Sequence, residues 1–279
     1  MAGSSMKNIK NRIKSVESTK QITKAMELAA VSKLRRAKER IAHSRPYFEI
    51  LKQTIADIEA CAGDAKMPFY ESRENGKACI IVIGGDRGLA GGYNNNILKL
   101  CAETAEKYKE LSVLPIGRRM CEHFTKRHIE IVTDKYATAE DVGVGDCKEI
   151  SSILCDEYQN EKFDALWICY TNFTSMMTQT VEAEKILPLE PGKNRKKMLT
   201  VCEPGAESVM QTIVPQYVSG IIYGAVCESR ASEYASRQTA MNSANKNAEE
   251  MINDLTLSFN RARQAVITRE ITEIVAGAQ

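Results

Sequence analysis

The densest run of residues able to do chemistry is Gly84-Gly85-Asp86-Arg87-Gly88-Leu89-Ala90-Gly91-Gly92-Tyr93-Asn94, a glycine-rich turn with an acid and a base near its start. It follows the apolar run Ala78 to Ile83 and precedes a helical pattern reaching about Lys109, so it reads as a strand, turn and helix of the kind that cradles phosphate. The spacing argues against that use. Gly85-x-x-Gly88-x-x-Gly91 is not the GxGxxG of a dinucleotide fold, and no glycine-rich loop ends in Gly-Lys-Ser or Gly-Lys-Thr. The glycines then suit a tight turn whose backbone visits conformations closed to other residues, with Asp86 and Arg87 as a docking pair. Other chemistry is thin: His43, His123 and His128 are scattered, and neither GxSxG nor HExxH occurs. Nine cysteines, an odd number without a CxxC pair, read as buried thiols in a reducing compartment. No catalytic residue, cofactor or metal is expected.

Those residues need elements to hold them. All seven prolines lie between Pro46 and Pro215, leaving two ends without proline and nearly without glycine. Proline inside a helix costs about 3 kcal/mol, so both ends read as long helices. A helix from Met6 to Cys61 would run roughly 80 Å at about 1.5 Å per residue, too long to be stable alone. Ile9, Ile13, Val16, Thr23, Ala30, Leu34, Ala37 and Ile41 keep a three-four spacing, continued by Phe48, Leu51, Ile55 and Ile58. Ile252, Leu255, Phe259, Ala262 and Val266 do the same at the other end, and an antiparallel coiled coil closes both seams. Lys20 and Glu27 are polar positions within the first seam. Two surface helices of one globular domain are the bland alternative.

Between the ends, strands are predicted at Ala78–Ile83, Val113–Ile116, Ile129–Val132, Ala165–Tyr170 and, on an edge, Thr178–Leu187, with helices over Met120–Lys126 and Asp141–Tyr158. Alternating strands and helices imply a mostly parallel sheet. The fold class is therefore α/β: a long antiparallel coiled coil of N- and C-terminal helices with a central Rossmann-like parallel-sheet domain. The expected divisions are 1–62, 63–207 and 208–279.

The net charge of +2 hides an asymmetry. Residues 1–45 hold twelve Lys or Arg against three Glu, a balance of +9, so the remainder carries −7. The first helix suits an acidic partner. Nucleic acid is one candidate and an acidic protein surface another, but no aromatic precedes Tyr47 to serve as a stacking platform. No stretch reaches the roughly 18 apolar residues of a membrane span, and Met1 to Met6 lacks the apolar core of a signal peptide.

Three separated segments carry a resemblance. Ile9 to Val16 (IKNRIKSV) with Thr19 to Ala30 (TKQITKAMELAA) closely resembles the start of the γ subunit of rotary F-type ATP synthases. Glu249 to Leu255, Phe259 to Thr268 and Glu270 to Val275 resemble that family's C-terminal helix, and Asp86 to Asn94 its central signature. Together the three matches, in order, cover essentially the whole chain.

The resemblance implies a mechanical part: a rotor shaft of two terminal helices inside a ring of alternating α and β subunits, coupling transmembrane ion flow to ATP synthesis or hydrolysis. The central domain and lower shaft would bind the ε subunit and the membrane c-ring. Positions matching the family's contact segments are Met26 on the first helix and Arg237, Arg263, Gln264, Thr268 and Glu270 on the last, with Arg12, Arg35 and Arg36 corresponding more loosely. Asp86 and Arg87 fall in the central signature, and Gly220 and Gly224, one turn apart, would either allow close approach of the ε subunit or ease local packing. The inserted segment and cysteine pair of photosynthetic relatives are missing, and the chain enters its first helix almost at once, so the resemblance implies a bacterial, peripheral protein at the cytoplasmic face of the cell membrane. A basic coiled-coil nucleic-acid-binding protein is the rival reading, and a dinucleotide-dependent enzyme a third.

Overall fold

The computed structural model describes residues 2–62, 68–73, 76–189, 203 and 205–277. Its elements in chain order are α1 (Ala2–Ala62), β1 (Lys77–Ile83), α2 (Tyr93–Ala105), β2 (Glu110–Ile116), α3 (Arg118–Lys126), β3 (Glu130–Ile131), α4 (Val144–Gln159), β4 (Ala165–Phe173), β5 (Gln179–Leu187) and α5 (Ala206–Gly277). They form two compact units, Met1–Val31 with Arg237–Gln279, and Ser32–Ser236. Both terminal helices are as long as the proline distribution requires, and Pro46 and Pro215 lie inside them.

In the first unit the two helices pair antiparallel, since Lys20 meets Glu249 and Thr23 meets Asn245. The predicted seam faces inward: Ile9, Ile13, Val16 and Thr23 are half-buried and Ala30 is buried, as are Met241 and Ala248 on the partner helix. Ile252, Leu255, Phe259, Ala262 and Val266 are half-buried, as their spacing demands. With alanines at 240, 244 and 248 the backbones approach closely, and little apolar area holds this segment together.

The second unit is a five-stranded sheet in the order β3-β2-β1-β4-β5, parallel except for β5. β1 is central and buried on both faces, which is why its sequence is a continuous apolar run. Cys79, Ile81 and Ile83 pack with α4 residues such as Ile150 and Leu154, with α5 residues Val214, Val218 and Ile222, and with Ile55 and Ile58 of α1. Ile80 and Val82 face the other layer, Ile97 and Cys101 of α2 and Met120 and Phe124 of α3. Further along, Leu34 and Ala37 pack against Ala231, Tyr234 and Ala235.

Several boundaries shift from the predicted ones for local reasons. α2 ends at Ala105 because the amides of Lys109 and Glu110 both donate to the Gly76 carbonyl, turning the chain into β2. α4 starts at Val144, where the Asp146 carboxylate accepts the Gly143 amide at 2.8 Å. β4 runs on to Phe173 because it pairs with Gln179 of the antiparallel edge strand, across a hairpin closed by Ser175. Seven thiols are free, six of them buried and Cys121 half-buried; Cys202 and the Cys61 and Phe48 side chains lie outside the described residues.

Candidate functional site

The glycine turn leaves the carboxyl end of β1, between neighbours β2 and β4, the crevice in which doubly wound sheets bind nucleotides. Here the chain fills that crevice itself. The Tyr93 hydroxyl donates to the Ser229 carbonyl at 3.1 Å, the Thr171 amide to the Ser229 hydroxyl at 3.2 Å, and the Ser232 hydroxyl to the Thr171 carbonyl at 3.2 Å, so α5 lies across the strand ends. A Cβ on Gly85 would sit 2.8 Å from Glu233 Oε1, and one on Gly84 would sit 2.6 Å from Met120. Gly117 closes the turn from the neighbouring strand: its φ is +106°, and a Cβ there would meet the Gly84 carbonyl oxygen at 2.4 Å. Gly84, Gly85 and Gly117 are therefore packing devices, whereas Gly91 has open space around it and a φ of +58° that the turn requires. No phosphate could reach the Gly85 amide, which donates to Asn94 Oδ1 at 2.9 Å.

Asp86 and Arg87 part company in the structure. The Asp86 carboxylate accepts the amides of Ala139 at 2.8 Å, Glu140 at 3.1 Å and Arg118 at 3.2 Å, tying the turn to the loop before α4 and to the start of α3. Arg87 points into solvent. Missed by sequence reasoning is Arg230, 7% exposed, whose Nε donates to the Ala139 carbonyl at 2.9 Å and whose Nη2 donates to Ala139 and, at 3.1 Å, to Val142. Its signal was faint: small residues at Ser229, Ala231 and Ser232 leave room for a buried guanidinium, but a charged residue on a helix otherwise reads as exposed. Lys33 of α1 reaches Glu140 in the same loop at 2.5 Å.

In the coiled-coil unit the polar seam becomes a network. Glu27 is 8% exposed, and its carboxylate accepts Asn245 Nδ2 at 2.8 Å, Lys24 Nζ at 3.1 Å and Asn242 Nδ2 at 3.4 Å. Asn245 Oδ1 in turn accepts the Thr23 hydroxyl at 2.5 Å, and one turn away Lys20 meets Glu249 at 3.5 Å. The Lys24 ammonium foremost, with the two amides, holds the Glu27 carboxyl below the usual carboxylate range against the opposing effect of burial. This layer breaks an otherwise apolar seam and specifies one register for two helices whose alanine-rich faces would tolerate others.

Met26 is half-buried beside this layer. Arg12, Arg263, Gln264, Thr268 and Glu270 are exposed, with Val266 half-buried between the last four; Thr268 donates to the Gln264 carbonyl at 2.9 Å. Arg237 is half-buried. In the α/β unit Arg35 and Arg36 are exposed, Arg35 lying 3.5 Å from Glu39. Gly220 is buried and Gly224 half-buried. Among the described residues no cluster of His, Cys, Asp or Glu could hold a metal ion, and no helix is long and apolar enough to cross a membrane.

Long terminal helices that pair as a coiled coil, and an α/β sheet whose crevice at the end of β1 is occupied by the chain's own helix, define the class: a coiled-coil protein with a Rossmann-like domain. Residues 5–279 match the family model described as ATP synthase. The chain is 42% identical to the ATP synthase gamma chain of Ruminococcus albus over 96% of each chain, and 38% identical to that of Pelotomaculum thermopropionicum over 98% of each. It is 40% identical to a gamma chain of Acetobacterium woodii described as sodium ion specific, over 98% of each. The fold is shared with a chain of the Euglena gracilis mitochondrial ATP synthase, solved as an OSCP/F1/c-ring assembly, at a TM-score of 0.71 and 17% identity over 99% of this chain and 94% of that one. The chain belongs to the ATP synthase gamma-chain family, the central-stalk subunit of F-type ATP synthases.

Proposed function

We propose that this chain is the rotating shaft of a bacterial F-type ATP synthase. It turns inside a ring of α and β subunits and couples transmembrane ion flow to ATP synthesis or hydrolysis, with no catalytic residue of its own. Its partners are the α and β subunits, the ε subunit and the membrane c-ring, and it sits peripherally at the cytoplasmic face of the membrane. The observation that carries this reading is the family match along residues 5–279, which takes in both terminal helices and the sheet between them. A rotor acts by differential contact: it favours one state of a catalytic site only through interaction energy that differs between states. The exposed charges Arg263 and Glu270, seven residues apart on nearly the same face, suit such contacts, as do Gln264 and Thr268. Met26, Arg12, Arg35, Arg36 and Arg237 are proposed as further contacts with the ring, and Asp86 and Arg87 as marking a docking edge in which Arg87 is the accessible member.

The test is reconstitution. The pure chain should hydrolyse no ATP, and adding it to α and β subunits should raise their turnover and co-purify with them. Turnover by the chain alone, or failure to join the ring, would overturn the proposal, and salt-sensitive binding of duplex DNA would favour the nucleic-acid reading.

A further inference from the structure

Four cations converge where α1 and α5 meet the loop before α4, all within the α/β unit. Lys33, Arg36, Arg40 and the buried Arg230 line a cavity of about 140 Å³ in which Glu140 is the single carboxylate, with Tyr234 on its wall. Glu140 is already engaged: Lys33 Nζ lies 2.5 Å away, the Tyr234 hydroxyl also bonds to it, and together with nearby Arg230 they hold its carboxyl below the usual range. Arg36 and Arg40, one turn apart on α1, have no acid partner among the described residues. Arg230 spends Nε and Nη2 on the carbonyls of Ala139 and Val142, while its Nη1 has no acceptor among the described residues.

A guanidinium is always charged and carries five N–H groups, so Arg230, with Nε and Nη2 spent on carbonyls, has Nη1 left to offer a ligand in the cavity. Three arginines presented to one small space match the oxygens of a tetrahedral anion better than a single carboxylate. The space is ample for a small hydrated anion.

We propose that this cavity binds a small oxyanion of the phosphate class, held by Arg36, Arg40 and Arg230 Nη1, with free phosphate as its source. The anion would join α1 to α5 and to the 139–142 loop, adding a polar tie beside the apolar contact of Ala37 with Tyr234. This assignment does not depend on the rotor reading.

The experiment is titration calorimetry of the full-length chain with inorganic phosphate at constant ionic strength, chloride serving as the blank. Saturable binding of one phosphate per chain is expected, weakened at least roughly tenfold in Arg36→Ala/Arg40→Ala, since each charge-assisted bond is worth well over a factor of ten. Both positions are exposed, so circular dichroism should show an unchanged fold. Arg35→Ala/Lys38→Ala removes the same charge from α1 away from the cavity and should bind phosphate like the parent. Phosphate retained in excess ATP supports free phosphate as the ligand, and its displacement by ATP overturns that choice of source. No binding above the chloride blank, or equal weakening in both double variants, overturns the site.

Discussion

Glu27 offers the sharpest test of how the coiled coil is held. Its carboxylate has three side-chain donors, at 2.8, 3.1 and 3.4 Å, and is 8% exposed. Hydrogen bonds to a charged group are worth about 1.5–3 kcal/mol each when well made and desolvated. The Asn242 bond is long, and Lys24 is mostly in water, its side chain 58% exposed, so only the Asn245 bond approaches that value. Glu27→Ala should therefore destabilise by about 2 kcal/mol, allowing for water reaching the freed amides. Glu27→Gln keeps the volume and one acceptor and should cost about 1 kcal/mol. Glu27→Met fills the volume but leaves the same Asn242 and Asn245 amides without their acceptor and with less room for water, so it should cost at least as much as Glu27→Ala. Urea unfolding followed by circular dichroism reads the stabilities, and a disulfide-trapping scan between residue pairs near 23 and 245 reads the register. The pH dependence follows from sign. Because the folded carboxyl titrates below its ordinary value near 4.5, its contribution is fully present above that value and is lost as pH falls through the lower, folded-state pKa. Glu27→Gln should flatten that acid limb. A Met variant as stable as the parent, or an acid limb unchanged in Gln, would refute the assignment of this layer to charge-assisted bonding.

Three further outcomes are expected. Arg263→Ala or Glu270→Ala should slow ATP synthesis by assembled complexes roughly tenfold, equivalent to about 1.4 kcal/mol, with assembly intact, whereas Val266→Asp should disrupt the seam and assembly together; unaltered synthesis and ion coupling in both charge variants would leave torque to shape alone. Asp86→Ala removes the acceptor of three backbone amides and should destabilise the α/β unit by about 1.5–3 kcal/mol, with Asp86→Asn intermediate, as urea midpoints followed by tryptophan fluorescence would show. Gly117→Ala combines a φ of +106° with a Cβ 2.4 Å from the Gly84 carbonyl oxygen, and should cost at least about 2 kcal/mol in the same assay, while Gly145→Ala, with open space around it, should cost far less.

What the sequence by itself determined follows from short-range physics. Proline exclusion and a three-four apolar spacing sufficed for the two long helices, because helix formation and seam burial are periodic properties of one strand of text. The fully apolar β1 announced a central strand, and turn chemistry at Pro188 an edge, for similar reasons. Lys20 and Glu27 stood out as polar intruders in the seam, and the resemblance at both ends led to the family. Only the tertiary structure decided their partners. Which residues of α5 face Glu27 depends on the antiparallel register, which pairs positions more than two hundred residues apart, so Asn242 and Asn245 looked like ordinary polar surface. The glycine turn was legible as a turn, but its filling by Tyr93, Ser229 and Glu233 required α5 to return across the ends of β1 and β4. Asp86, read with Arg87 as a pair, turns inward because three amides from distant segments arrive at its carboxylate, while Arg87, which can only donate, stays in water. Arg230 is the extreme case: a charge is buried when folded backbone carbonyls satisfy it, and no local pattern in the chain states where carbonyls will be left over.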